Sequence, residues 1–85
     1  MRMADMNKLN DSQLNNVTGG KKRYVQYDAG ANVRSGPGTS FGKWYHLDEG
    51  DPCYTNGERV YNHNDGFDWV QLEDGGWVPA HLLGI

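Results

Sequence analysis

Residues 21–85 of this 85-residue chain predict an all-β fold, a small barrel of five or six short antiparallel strands. Three observations predict it. Clusters of Gly, Pro, Asn and Asp recur every 8–12 residues or so, the turn spacing of small barrels and sandwiches. The segments between them are short, β-prone and in places alternate apolar with polar. The chain also carries three Trp, five Tyr and two Phe, and all but Tyr24 lie after residue 25. A domain of 65 residues buries only about 60% of its unfolded surface, and large rings raise the area buried per residue.

Taken in order, "RYVQYDAGANVR" (23–34) alternates and is β-prone. Within it, Ala31 and Val33 fall on one face and Asn32 and Arg34 on the other. "SGPG" (35–38) is a turn by composition, since Gly admits unusual φ and Pro fixes its own. "KWYHL" (43–47) is a strand candidate and "DEGD" (48–51) the next turn. "PCYTN", Gly57 and "RVYNH" together read as a hairpin or as a bulged pair. "NDG" (64–66) turns again. "DWVQLE" (68–73) places Val70 and Leu72 on one face, Trp69 and Gln71 on the other. "DGG" (74–76) is a tight hairpin turn, and Pro79 ends the last strand because it cannot donate to a ladder. The expected core is Val33, Tyr45, Leu47, Val70, Leu72, Val78 and Leu82 or Leu83.

Three of these motifs, in this order and spacing, resemble the bacterial SH3 (SH3b) family. "ANVRSGPGTSFGKW" is similar to its apolar-Asn-Val-Arg-Ser-Gly-Pro-Gly signature. "LDEGD" fits its Leu-x-x-Gly turn, and "GFDWVQLEDGGWVPAHLL" fits its closing Gly-x-x-Trp-x-x-Val hairpin with a following Gly-Trp-Val and terminal Leu. The likeness runs from about Gln26 to Leu83. It implies an SH3-like barrel that binds bacterial cell-wall peptides, often peptidoglycan cross-bridges or stem peptides. Two segments depart from the pattern: "NGERVYNHNDG" is longer and more polar, and "YVQYDAGA" carries two tyrosines. The ending "GGWVPAHLL" is also similar to that of the SH3 domains that read Pro-rich helices. Their Trp-Trp pair is missing, because Trp69 is followed by Val70, so that specificity ranks low.

Residues 1–20 follow different rules. They hold no aromatic, and no Gly before Gly19. Met6, Leu9, Leu14 and Val17, spaced three, five and three apart, fall within an arc of about 140° on a helix. Four asparagines weaken that helix in isolation, so it is expected to form against a partner's groove. These four residues ahead of Gly19 and Gly20 resemble the double-glycine leader peptides of bacteriocin-type export. The resemblance implies docking of the apolar face on a peptidase-containing ABC transporter and cleavage after Gly20. Glycine suits such a cleft because it brings backbone and no side chain. The domains expected are therefore a leader, 1–20, and a barrel, 21–85, made in the cytoplasm and ending secreted or associated with the cell wall. A bacteriocin-like antimicrobial or signalling precursor is the first alternative. An intracellular peptide-binding adaptor whose first 20 residues form a tail is the second.

Composition narrows the chemistry. Residues 1–20 are neutral, so the net charge of −3 belongs to residues 21–85, with six Lys/Arg against nine Asp/Glu. Phosphate contacts need clustered cations, and Lys21-Lys22-Arg23 is the sole basic run, so nucleic acid is not an expected partner. Nothing approaches the ~20 apolar residues of a membrane span. The first 20 residues also lack the apolar run of about 7–15 that a Sec-type signal needs. Cys53 beside His46, His63 or His81 would make a catalytic pair. No oxyanion loop is apparent, however, and a buried structural thiol is the expectation. Paired Cys-x-x-Cys spacing for zinc and EF-hand spacing for calcium are both missing. A non-catalytic binding module without a cofactor, taking cell-wall peptide, peptidoglycan or an envelope protein, is the reading that remains. Tyr27, Phe41, Trp69 and Trp77 are its expected ligand-binding residues, since so small a barrel cannot bury every ring.

Overall fold

The computed structural model describes residues 21–85. The expected leader positions, Met6, Leu9, Leu14, Val17, Gly19 and Gly20, lie outside the described residues. Six strands form: β1 (Lys21–Tyr24), β2 (Ala31–Arg34), β3 (Lys43–Leu47), β4 (Pro52–Asn62), β5 (Phe67–Leu72) and β6 (Trp77–Pro79), followed by a 3-10 turn over Ala80–Leu83. All pairings are antiparallel, in one open sheet of order β1-β4-β5-β6-β2-β3. The fold is thus small and all-β, compatible with an SH3-like barrel. Among the described residues no helix is long and apolar enough to cross a membrane.

Alternation along each strand selects one face for the core. Ala31 and Val33 of β2, Cys53 of β4, Val70 and Leu72 of β5 and Val78 of β6 join Val25, Ala80 and Leu83 in one buried cluster. Leu47, Leu82 and Ile85 pack against it half-buried. Each fully buried Val or Leu contributes about 1.5–3 kcal/mol. The stretch 23–34 does not run as one strand. It breaks after Tyr24, turns with Gly30 N–H donating to the Tyr27 carbonyl (2.8 Å), and restarts at Ala31. The break lets Val25 drop into the core, where its N–H bonds the Asp51 carbonyl (3.0 Å) and its carbonyl accepts from Gly50 (2.8 Å). These two bonds fasten the edge strand β1 to the β3–β4 turn.

Two bulges shape the sheet. In β4, Thr55 faces Leu72 and Arg59 faces Val70, so residues 56–58 oppose Gln71 alone. Gly57 takes φ +95° there, and Asn56 Oδ1 accepts from the Glu58 N–H (3.0 Å). The bulged reading of "PCYTN-G-ERVYN" is therefore the one adopted, and no hairpin forms. The bend lets the first half of β4 pair with β1 and the second half with β5. In β3, Tyr45 faces Val33 and Lys43 faces Arg34, which leaves Trp44 without a register partner.

Candidate functional site

The sheet leaves one seam. Among the described residues β3 pairs only with β2, and β4 begins by pairing with β1. The turn joining them is closed by Asp51 N–H on the Asp48 carbonyl (3.0 Å) and by the Asp51 carboxylate on the Asp48 N–H (2.8 Å). Pro52, at the start of β4, has no N–H to offer a neighbour. A groove of about 280 Å³ opens between β3, the start of β4 and the end of β5. Leu47, Cys53 and Leu72 give it apolar lining, Tyr45 and Tyr54 flank it from β3 and β4, and Glu73 and Asp74 supply carboxylates.

The β3 bulge builds one end of this groove. Two neighbouring residues of a bulged strand stand opposite one of the partner. Accordingly, Trp44 and Tyr45 both reach the turn that joins β5 to β6. Trp44 lies against Gly75 and Gly76, where an added Cβ would meet its ring at 3.9 and 3.3 Å. The Tyr45 hydroxyl donates to Asp74 Oδ2, while the Gly76 N–H donates to Asp74 Oδ1 (2.8 Å). The Asp74 carboxylate is fixed by both bonds. Partial burial, then the Asp74 carboxylate, push the Tyr45 phenol up to about 12. Burial first, and the same carboxylate second, push the Cys53 thiol up. A thiol held protonated is not an activated nucleophile. The histidines are engaged elsewhere: His46 with Asn32 (2.8 Å), His63 edge-on to Tyr61, His81 edge-on to Phe67. Among the described residues no three acidic, His or Cys side chains gather as metal ligands.

The four residues expected to bind ligand are not brought together, and none of them lines the seam groove. Trp69 is a correction. It is fully buried, with its indole N–H on Asp65 Oδ2 (3.1 Å) and its ring stacked on Phe67 at 5.7 Å. Asp65 also accepts from the Thr39 N–H (2.9 Å) and hydroxyl (2.6 Å), and Asn62 donates to the Pro37 carbonyl (2.9 Å). The loop 35–42 is thereby tied to the β4–β5 turn, on the side of β5 that carries Trp69. Phe41 is partly exposed but folds back over Gly36, and its carbonyl accepts from Arg34 (3.0 Å). Trp77 is half-buried in β6 opposite Arg34 and Gln71. Tyr27 stands exposed in the turn after β1.

Tyr45 is a second correction. It was expected in the core and lies at the open edge, 38% exposed. Tyr45, Tyr54, Glu73 and Asp74 were missed as site residues because the groove depends on which strands fail to pair. One signal was present in the sequence: Pro52 directly after an acidic turn marks a strand start that cannot donate.

Comparison with protein-family models, with curated proteins and with solved structures finds no match for the chain.

Proposed function

We propose that this chain is the precursor of an exported, non-catalytic binding module. Residues 1–20 act as a double-glycine leader, removed after Gly20 by a peptidase-containing ABC transporter. The remainder is an SH3b-type domain, secreted or held at the cell wall, that binds cell-wall peptide. The observation that carries the binding reading is the seam groove: apolar lining, two tyrosines at the flanks and fixed carboxylate at one end. Such a mix of apolar surface and a few placed polar groups is what a ligand site requires. Support for the leader comes from the four apolar positions ahead of Gly19-Gly20.

Two measurements test this reading. Mass spectrometry of culture supernatant should find a product beginning at Lys21; full-length chain confined to cells would sink the leader. The secreted product should be retained on purified peptidoglycan. Failure to bind, together with growth inhibition of a related strain, would favour an antimicrobial precursor instead.

A further inference from the structure

The seam groove has a sign. Among the described residues its lining includes Glu73 and Asp74 and no Lys, Arg or His. The acidic turn that runs between its lining residues Leu47 and Pro52 adds Asp48, Glu49 and Asp51. Five of the nine carboxylates of residues 21–85 thus either line the groove, as Glu73 and Asp74 do, or sit in the turn that follows its lining residue Leu47. Asp74 is held by the Tyr45 hydroxyl and the Gly76 N–H, so its charge is positioned before any ligand arrives. Glu73 is exposed, and its side chain makes no hydrogen bond among the described residues. Aromatic faces attract cations, most strongly where water is partly excluded. Tyr54 already shows this on the β1 side, where the Lys22 ammonium sits 6.0 Å from its ring centroid and 5.4 Å from that of Tyr24.

We infer that the seam groove recognises a peptide through a primary ammonium group, as on a free lysine-type side chain of a cell-wall peptide. The alkyl stem lies along Leu47, Leu72 and the two tyrosines, and the ammonium meets Asp74 and Glu73. An alkyl amine suits this site because it joins an apolar stem to one compact cation with three donors. An anionic peptide would meet like charge at Glu73 and Asp74. The source of the peptide rests on the binding-module reading; the preference for an amine rests on the groove alone.

The test uses the full chain and two probes, N-acetyl-Ala-Lys-Ala amide and its Nε-acetylated counterpart, followed by NMR titration. The free-amine peptide should bind and shift the signals of Tyr45, Tyr54 and Asp74, and raised salt should weaken it. Acetylation of the amine should weaken binding about tenfold or more, the scale of one charge-assisted bond. Asp74→Asn should do the same. Glu73→Gln, at an exposed and unbonded position, should weaken binding without disturbing the fold, while Asp28→Asn, exposed and outside the groove, leaves it unchanged. Equal binding of both peptides, no binding of either, or indifference to Asp74→Asn and Glu73→Gln together would overturn the inference. Retention on purified peptidoglycan is measured in parallel. Retention that ignores the amine leaves the binding module standing without this inference, and amine binding without retention does the reverse.

Discussion

Two side chains convert pH into stability, in opposite directions. Asp65 accepts from the Thr39 hydroxyl, the Thr39 N–H and the Trp69 indole. The Thr39 hydroxyl lowers its pKa most; partial burial opposes the shift, and the other two donors and Arg34 add to it. A carboxyl depressed in the fold stabilises fully above its unfolded value, about 3.9, and that stability is lost as pH falls through the folded value. Asp65→Asn should therefore lower the urea midpoint at neutral pH and flatten the acid limb of a midpoint-against-pH curve. A variant with the wild-type acid limb would show that Asp65 is not the group responsible. Tyr45 works at the other end. Its phenol is pushed up to about 12. The unfolded chain loses that proton near pH 10 and the folded chain near 12, so the unfolded state binds fewer protons in between and stability falls as pH rises through that window. Tyr45→Phe should remove its part of this alkaline loss, read as a shallower fall in the thermal midpoint above about pH 10.

Among the elements, β3 and the hairpin turn of residues 74–76 were legible because their signals are local: aromatic content in one, Asp-Gly-Gly in the other. The two bulges were less so, since a bulge is a property of two strands and neither states it alone. Gly57 and Gly76 separate two reasons for glycine. At Gly57, φ is +95° and an added Cβ has nothing within 4 Å, so Gly57→Ala costs only backbone strain, about 1 kcal/mol. At Gly76 an added Cβ would strike the buried Val33 side chain and press on Trp44, so Gly76→Ala forces repacking at about 1–3 kcal/mol. Urea denaturation of the two variants should rank them in that order. The ranking has a further consequence: Gly76→Ala moves Trp44 and should change tryptophan emission in the folded protein, whereas Gly57→Ala should not.

At the scale of the whole molecule, sequence patterning revealed strand number and most of the core but not the site. Trp69 shows why. Alternation assigned it to the face opposite Val70, as it is, yet loop 35–42, held through Asp65 and Asn62, meets the turn beside that face. Twenty-six residues separate Thr39 from Asp65, and no short window contains both. The seam groove is equally non-local, arising where β3 and β4 part company. One boundary can be tested against this architecture. In β1, Lys21 pairs with Thr55, and the ladder continues through Arg23 opposite Cys53 to Tyr24 opposite Pro52. Beyond it, Val25 is buried at 2% exposure and both of its main-chain groups are bonded to the β3–β4 turn. If residues 1–20 are a leader, a chain beginning at Lys21 should match the full chain in unfolding free energy within about 0.5 kcal/mol, the scatter of changes that touch no buried group. A chain beginning at Gln26 loses the β1 ladder and Val25 together, and should be less stable by more than about 2 kcal/mol from the buried side chain alone. A large loss on removing residues 1–20 would instead make them a structural part of the domain, and the expected cut after Gly20 would then separate pieces that fold together.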